Sequence, residues 1–276
     1  MISDSPNTAA LTNLLARGGV AVLTGAGVST DSGLPDYRGA GSPPRTPMSI
    51  EQFTQDLDYR RRFWAGAALS QAHYRAVRPN AGHRALARLE AAGFVTGVIT
   101  QNVDGLHRAA GTRTVVELHG AGSRIVCTRC REHFTRDEVI ERFNLLNPGY
   151  VAAHADAVIA PDGDAIATEY EDLALPDCPV CGGMVRPDVV YFGEVVPAPV
   201  FAQARAMVDD ARALLVLGSS LAVNTGVRLV NRAVARELPV AVVNRGRTAA
   251  DARAALRLDA GASEAMAQVA ERLIAW

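Results

Sequence analysis

Four cysteines are the residues of this sequence whose spacing points most directly to chemistry. They form two C-x-x-C pairs, Cys127 with Cys130 and Cys178 with Cys181, and together they are all the cysteines of the chain. Each pair can present two thiolates from one tight turn, and two such turns complete a tetrahedral S4 site for Zn²⁺. A redox disulfide or buried free thiols are the alternatives, but the presence of two pairs favours zinc. Four thiolates close the coordination shell, so the predicted metal is structural rather than catalytic.

A glycine-rich segment, TGAGVSTDSGLPDYRG over residues 24–39, points to phosphate chemistry. Gly25 and Gly27 open a G-x-G-x-x-G pattern, but Thr30 stands where the third glycine is required. The two glycines let the backbone approach a pyrophosphate closely, and a helix N-terminus would attract its charge. We therefore expect a dinucleotide-binding loop that does not continue as in an ordinary dehydrogenase.

The elements that must position these residues alternate between buried strands and helices. Apolar, β-branched runs predict strands at Val20–Thr24, Val95–Thr100, Thr114–Gly120, Ala213–Ser220 and Pro239–Asn244. Helices are predicted over 81–93, 225–238 and 263–276, with Gly93 ending the first of them. This alternation predicts an α/β fold with a Rossmann-like, doubly wound parallel sheet and a smaller zinc-binding insert domain.

Polar segments follow these strands, and in such sheets ligands bind beyond the carboxyl ends of the strands. We expect a site at that edge rather than a set of ordinary turns. The segments are Gly25–Arg38, Gln101–Asp104, His119–Gly120, Gly218–Ser220 and Asn244–Gly246.

Composition limits the partners. The 276 residues include 28 basic and 29 acidic side chains, so a net charge of -1 predicts neither nucleic acid nor an anionic membrane as partner. No apolar run approaches the ~18 residues needed to span a bilayer. The first residues lack the features of a signal or transit peptide, so we expect a cytoplasmic protein. The sequence gives no indication of oligomeric state.

An ordered set of motifs identifies a family resemblance. GAGVSTDSGLPDYR, TQNVDGLH, LHG, the two cysteine pairs, RPDVVYFGE, GSSL and VVN follow one another along the chain. From about residue 20 onward the chain resembles the sirtuins, the NAD-dependent protein-lysine deacylases. The resemblance implies that NAD is consumed as co-substrate: the acyl group of a protein lysine passes to ADP-ribose and nicotinamide is released. It also implies one structural zinc ion.

The resemblance implies a domain layout as well. We expect a Rossmann-like NAD-binding domain over 1–40, 81–125 and 186–276, a helical and loop segment over 41–80, and a structural zinc module over 126–185. NAD and the acyl-lysine are expected in a cleft between the large and small domains.

Three residues carry the reaction in this interpretation. His119 is the expected base, because neutral imidazole suits that task at physiological pH. Asp104 is expected to bind the nicotinamide carboxamide, although it could also cap a helix, and Asn102 is expected to bind the ribose. His107 is expected to hold this loop or the ribose region, whereas His83 is assigned no role beyond structure.

Further contacts follow from the matching motifs. The stretch Gly33–Arg38 is expected to close over the nicotinamide ribose, and Val189–Tyr191 to pair with substrate backbone beside Phe192, which faces the acyl-lysine stem. Expected substrate-binding residues are Val189, Val190, Phe192 and Gly193. Turn and cap formation is the alternative for the serines and asparagines of the NAD set. That set is Gly25, Ala26, Gly27, Ser29, Asp36, Tyr37, Arg38, Gln101, Asn102, Asp104, Gly218, Ser219, Ser220, Asn244, Arg245, Gly246 and Ala262.

The segment between the cysteine pairs is longer than the usual ~15–20 residues. Its ERFNLLNP and APDGD stretches resemble the class II sirtuins, the subclass that includes a human mitochondrial lipoamidase and ADP-ribosyltransferase with weak deacetylase activity. The succinyl-removing branch has a Tyr and an Arg after the match to YRGAG, whereas here SPPR follows with Arg45 alone. This argues against a succinyl specialist.

Two other functions remain open at this point. A mono-ADP-ribosyltransferase would move label from NAD onto protein, and a non-catalytic module would bind NAD without releasing nicotinamide. The set of His119, Asn102 and Asp104 argues against a pure binder, since a binder needs no base. A hydride-transfer dehydrogenase is disfavoured by Thr30 and by the lack of an acidic ribose clamp on a second strand.

Overall fold

The computed structural model describes residues 6–36, 48–158 and 165–274. In this part of the chain the strands are β1 Val20–Thr24, β2 Val95–Thr100, β3 Val115–Glu117, β4 Gly120–Cys127, β5 His133–Thr135, β6 Val185–Val189, β7 Ala213–Leu217, β8 Val240–Val243 and β9 Leu256–Leu258. The helices are α1 Pro6–Ala16, α2 Ile50–Gln55, α3 Leu57–Leu69, α4 Gln71–Ala76, α5 Ala81–Ala91, α6 Leu106–Ala109, α7 Arg136–Leu146, α8 Tyr150–Ala153, α9 Ala198–Asp209, α10 Asn224–Ala235 and α11 Ala262–Ile274. Short 3-10 turns occupy Ala26–Val28, Thr30–Ser32 and Asp251–Arg253.

The chain divides into two units. The first unit comprises Met1–Gly39, Arg78–His119 and Val196–Trp276, and the second comprises Ala40–Val77 and Gly120–Val195. The sequence-based division set 41–80 apart from a zinc module at 126–185. In the structure that segment shares a unit with the cysteines, because Phe53 and Trp64 enter the same apolar cluster as Phe143.

The first unit is built on a six-stranded parallel sheet in the order β3-β2-β1-β7-β8-β9. Strands β1 and β7 are buried at every residue, as expected for strands covered on both faces. When the strands of the second unit are left out, the order is the 3-2-1-4-5-6 of a doubly wound fold. The predicted Rossmann-like fold class is confirmed, and the carboxyl ends of the strands meet at one edge.

Two strands of the first unit differ from the expectation. The run Thr114–Gly120 was expected to be one strand, but β3 ends at Glu117 and Gly120 opens β4 in the other sheet. Gly120 has a φ of 79°, which turns the chain between the two strands. Strand β9 was not expected, since the three residues Leu256–Leu258 are too short a run to indicate a strand.

Apolar helix faces cover the sheet of the first unit. Leu11 and Leu15 of α1, Leu86 and Leu89 of α5, and Met266 of α11 lie in one buried cluster with the strand side chains. Helix α5 begins at a capping box, in which the Asn80 side chain accepts from the amide of His83. It stops before Gly93, whose φ of 82° is that of the predicted C-terminal glycine.

The second unit has an antiparallel sheet in the order β5-β4-β6 and helices from two stretches of sequence. Helices α2, α3 and α4 occupy the segment predicted to hold a few helices. Helix α7 begins with a capping box between Thr135 and Glu138 and packs beside α3. The sheet, α3 and α7 enclose a cluster that includes Phe53, Trp64 and Phe143.

Among the described residues, no helix is both long and apolar enough to cross a bilayer.

Candidate functional site

The glycine-rich loop leaves β1 and turns at once into two 3-10 turns. The sequence suggested a helix N-terminus here, but the described residues after β1 contain no α-helix before α2. Any favourable interaction with an anion therefore depends on single amides of a tight loop rather than on a helix dipole.

The glycines of this loop are required by its neighbour in the structure. A Cβ on Gly25 would lie 2.7 Å from the Cβ of Ser219, and one on Gly27 would lie 2.9 Å from the carbonyl oxygen of Gly218. The amide of Gly27 donates to that same oxygen at 2.8 Å. Loops from the adjacent strands β1 and β7 thus pack backbone against backbone, which only glycine permits.

Polar side chains from two strand ends meet beside this loop. Ser29 Oγ donates to Asp104 Oδ2 at 2.7 Å, and Asn102 Nδ2 donates to Ser29 Oγ at 3.2 Å and to the Gly25 carbonyl at 3.1 Å. Asp104 Oδ1 accepts the amide of Leu106 at 2.9 Å, at the start of α6. Asp104 therefore accepts the first amide of α6 with one oxygen, from the position before the N-cap residue Gly105, and the Ser29 hydroxyl with the other. The predicted pair Asn102 and Asp104 is brought together around Ser29.

Gln101 links the β2 end to the β7 end. Ser219 Oγ donates to Gln101 Oε1 at 2.7 Å, and the same hydroxyl accepts the amide of Leu221 at 3.2 Å. Ser219 is buried, and its hydroxyl bonds to the turn after β7. Turn formation is the alternative that the sequence left open for this serine.

His119 lies just after β3 with both ring nitrogens bonded. Nδ1 lies 2.9 Å from the carbonyl oxygen of Gln101, and Nε2 lies 3.2 Å from Thr225 Oγ1. A carbonyl can only accept, so Nδ1 carries the proton and the neutral ring has its lone pair on Nε2. Burial lowers the pKa of His119 below its ordinary value, and the bond to Gln101 opposes that shift in part. The ring is thus a neutral base at physiological pH.

Two further histidines lie buried behind the β2 end. His107 Nε2 is 2.9 Å from Thr24 Oγ1, and the His107 and His83 ring centroids are 4.8 Å apart. Burial lowers the pKa of His107 to about 3 and that of His83 to about 4. Both rings are neutral in the folded protein, and the expectation that His107 holds this loop agrees with its bond to Thr24.

The end of β8 supplies the third group of predicted residues. Asn244 is buried, and its Nδ2 donates to the carbonyls of Arg245 at 2.7 Å and Gly246 at 3.3 Å. Gly246 has a φ of 77°, and Arg245 and Gly246 are exposed. Asn244 therefore shapes its own turn.

The remaining predicted NAD residues do not belong to the three groups described above. Ala262 is buried at the start of α11, whereas Ser220 and Asp36 are partly exposed. Tyr37 and Arg38 lie outside the described residues.

In the second unit, the predicted substrate segment continues β6, an edge strand of the described sheet. Val189 pairs with Gly120 of β4, and the carbonyl of Phe192 accepts the amide of Ile50 at 3.0 Å. The Phe192 side chain is 52% exposed, and Gly193 has a φ of 91°. Val190 is partly exposed. An exposed aromatic ring beside a strand edge suits recognition of an extended peptide.

The four cysteines meet in one cluster, with their sulfur atoms all within 4.8 Å of one another. Cys127 Sγ lies 3.5 Å from Cys181 Sγ, and Cys130 Sγ lies 3.7 Å from Cys178 Sγ. Zn–S bonds of ~2.3 Å in a tetrahedron put the sulfur atoms about 3.8 Å apart, so the donor set fits a structural zinc ion.

The two cysteine turns have the same local geometry. The carbonyl of Cys127 accepts the amide of Arg131 at 3.2 Å, and that of Cys178 accepts the amide of Gly182 at 2.8 Å. Arg131 and Gly182 both have a φ of 66°. A glycine thus completes the second turn, while an arginine takes the left-handed position in the first.

The sequence did not indicate the roles of Thr225 and Thr24 or the contact between His83 and His107. Thr225 lies at the start of α10 and carried no motif signal. Thr24 is the last residue of the apolar strand β1, just before the glycine loop. A hydroxyl in a run expected to be buried needs a hydrogen-bond partner, and this was the one indication of a polar contact there.

Known proteins resemble this chain over most of its length. The model of the Sir2 family matches residues 25–225. The chain is 48% identical over 274 residues to NAD-dependent protein deacetylase 1 of Mycobacterium avium, covering 98% of this chain and 96% of the relative. It is 46% identical over 269 residues to NAD-dependent protein deacetylase 1 of Streptomyces coelicolor, covering 96% and 89%.

Solved structures are similar over nearly the whole chain. Sir2 with a p53 peptide and NAD+ has a TM-score of 0.76 at 30% identity, covering 95% of this chain and 97% of that one. Sir2Tm bound to a propionylated peptide has a TM-score of 0.74 at 28% identity, covering 96% and 98%.

Proposed function

Because the chain belongs to the Sir2 family, we infer that it is an NAD-dependent protein deacetylase that takes acylated lysines of proteins as substrates. It transfers the acyl group from lysine to ADP-ribose and releases nicotinamide. The observation that carries this function is His119, a partly buried neutral imidazole whose lone pair lies on Nε2. A binding module has no need of such a base.

The reaction has two parts, and the first breaks the bond between nicotinamide and ribose. The acyl oxygen of the lysine attacks C1′ of the ribose, nicotinamide departs with the bonding electrons, and positive charge develops on the sugar. Asp104 binds the nicotinamide carboxamide, and Asn102 binds the ribose. Ser29 fixes both side chains, which supports this assignment because the pair is held before substrate arrives.

The second part needs a base. His119 accepts a proton from a ribose hydroxyl, which then attacks the carbon of the alkylimidate formed in the first part. The carbon–nitrogen bond to lysine then breaks, the lysine leaves as a protonated amine, and water adds to leave the acyl group as an ester on ADP-ribose. The Gln101 carbonyl keeps the proton on Nδ1, so Nε2 is the atom that accepts. Thr225 Oγ1 lies 3.2 Å from Nε2 and supports its orientation.

We propose that the other predicted residues hold the two substrates. Gly25, Ala26, Gly27, Gly218 and Ser219 shape the loops that bind the phosphates, and Asn244 shapes the turn that binds the adenosine ribose. Val189 and Val190 pair with the peptide backbone, and Phe192 contacts the lysine stem. Backbone pairing recognises few side chains, so we expect loose specificity for protein sequence.

The four cysteines would hold one zinc ion. Their closed S4 donor set leaves no position for water, so the metal bound there would be structural, ordering the second unit rather than serving the reaction. We further propose that the chain belongs to the class II subclass with a long insert between its cysteine pairs. The length of that insert, which carries α7 and α8, supports this. A location in the cytoplasm stays a prediction from the sequence.

One experiment tests the function. The protein is incubated with NAD and a panel of acyl-lysine peptides, and nicotinamide and O-acyl-ADP-ribose are quantified for wild type and His119→Ala. We expect both products from wild type and a loss of O-acyl-ADP-ribose in the variant. Equal product from both proteins would remove His119 from its role. Label from NAD on protein without need of an acyl group would instead indicate an ADP-ribosyltransferase.

A further inference from the structure

His83 and His107 are a buried pair in the first unit, at 0% and 2% exposure. Their rings lie 4.8 Å apart at an angle of 57°. Within the described residues, Nε2 of His83 and Nδ1 of His107 have no hydrogen-bond partner. Buried polar atoms are normally bonded, and leaving one unpaired costs stability, so two such atoms in one place indicate a role that a pair of apolar side chains would not fill.

Thr24 connects this pair to the reaction segment. Its carbonyl accepts the amide of Gln101 at 3.0 Å, and its hydroxyl lies 2.9 Å from His107 Nε2. A single residue at the end of β1 therefore holds both ends of residues 101–107. The segment in between carries Asn102 and Asp104, so its two ends decide where those side chains stand.

His83 is itself anchored to the glycine loop. Asn80, the residue that caps α5, donates from Nδ2 to the carbonyl of Val28 at 2.8 Å, and its amide donates to His83 Nδ1 at 3.4 Å. Asn80 thus connects the ring of His83 to Val28, which precedes Ser29 in the glycine loop. The same ring contacts His107. The pair joins the loop after β1 to the segment after β2.

We propose that Thr24, His83 and His107 are positioning residues, which close segment 101–107 onto the end of β1 so that Asn102 and Asp104 meet NAD in a fixed geometry. The proposal rests on the proposed function, since it assigns these two side chains to NAD. It goes beyond that function because all three side chains are buried and act only through the placement of Asn102 and Asp104. Misplacement of reacting groups by about 1 Å can lower a rate by roughly 100-fold, so a remote hydrogen bond can matter this much.

Thr24→Val and Thr24→Ser are the matched variants. Valine has the shape of threonine without the hydroxyl, whereas serine retains the hydroxyl. Val269→Ala, in α11 of the same core, controls for a general loss of stability. We expect Thr24→Val to lower kcat/KM for NAD by about 10- to 100-fold and to leave KM for the peptide unchanged. Thr24→Ser should retain most activity, and Val269→Ala should behave as wild type below its melting temperature.

A double-mutant cycle tests His107, the hydrogen-bond partner of the Thr24 hydroxyl. His107→Phe should lower kcat/KM for NAD as Thr24→Val does, and the double variant should be no worse than either single variant, because both remove one hydrogen bond. Additive losses, or Thr24→Val equal to Thr24→Ser, would overturn the proposal.

Calorimetric titration with NAD separates this proposal from the proposed function. Weaker NAD binding by Thr24→Val than by Thr24→Ser supports positioning even if no acyl-peptide is turned over. Equal binding by the two variants contradicts it even if the wild type is a deacetylase.

Discussion

The ring of His119 is held by the main chain of Gln101, with Nδ1 2.9 Å from the carbonyl oxygen. A main-chain carbonyl cannot rotate away as a side chain can, and it does not titrate, so the tautomer of His119 is set by the fold itself. The side chain of Gln101 accepts from the Ser219 hydroxyl, and its main-chain amide donates to the Thr24 carbonyl. The base is therefore tied to three strand ends through one residue.

The decrease of activity at low pH should follow the protonation of His119. Burial lowers its pKa, so the neutral ring that acts as base should persist below pH ~6.5, the ordinary value for histidine. We expect kcat/KM to fall as pH falls, with a midpoint below about 6.5. A pH profile of O-acyl-ADP-ribose formation measures this. A midpoint above neutrality would contradict the assignment.

Asp104→Asn separates the two roles of that carboxylate. Asparagine retains the Oδ1 acceptor for the amide of Leu106, so α6 should still form, but the charge that faces Ser29 is lost. Hydrogen bonds to charged groups contribute about 1.5–3 kcal/mol, so we expect about a 10- to 100-fold loss in kcat/KM for NAD. Asp31→Asn is the control. Asp31 is exposed in the same glycine loop as Ser29, and this change should leave kcat/KM for NAD unaltered.

Gly27→Ala should destabilise the protein. The added Cβ would lie 2.9 Å from the carbonyl oxygen of Gly218, which is backbone and cannot move aside cheaply. We expect a loss of about 1–3 kcal/mol in the free energy of unfolding, measured by urea titration. Gly33→Ala is the comparison, because it meets open space and carries only the strain of a φ of 87°. A loss no larger than that of Gly33→Ala would show that the loops can separate.

Zinc should be required for the fold of the second unit. We expect one zinc ion per chain by atomic absorption, and unfolding of this unit by a strong chelator or by Cys178→Ser. Structural zinc binding contributes on the order of 10–16 kcal/mol in small domains, so the effect should be large. His133→Ala, outside the sulfur cluster, should retain the metal. A stable, metal-free protein with wild-type melting would contradict the zinc assignment.

Acid should destabilise the first unit through His83 and His107. Burial lowers the pKa of His107 to about 3, with a smaller effect of His83. Burial also lowers the pKa of His83 to about 4, against the attraction of Asp104 and with help from Arg84. The unfolded chain binds these protons near pH 6.5, so the free energy of unfolding should decrease from that pH toward pH 4.

The effect of this pair is measurable by urea unfolding at pH 7.5 and pH 5.0. Each histidine should contribute up to about 2 kcal/mol of the difference. In His83→Leu, the difference in unfolding free energy between the two pH values should be about half as large as in the wild type. The variant should also be less stable than the wild type at pH 7.5. An unchanged pH dependence in this variant would mean that folding does not lower the pKa of His83.

The sequence predicted the parts of this protein whose chemistry is local. Buried runs such as Val20–Thr24 and spaced thiols such as Cys127 with Cys130 show their roles in neighbouring residues, and the strand and the sulfur cluster were predicted correctly. The end of the Thr114–Gly120 run was wrong, because the turn at Gly120 depends on pairing with β6 far along the chain.

Contacts between distant residues could not be predicted in the same way. Thr24 and His107 are 83 positions apart, and His119 and Thr225 are 106 positions apart. Only the order of the sheet brings such residues to one edge. The glycines at 25 and 27 were read as room for a pyrophosphate, while the structure adds a second reason in the neighbouring loop of β7.

That neighbouring loop has a consequence for protein engineering. Because Gly27 and Gly218 touch through their backbones, the nucleotide loop is not a transferable module by itself. A graft of residues 25–36 onto another parallel sheet would need Gly218 and Ser219 carried with it, and a library that randomises one loop should hold the other constant.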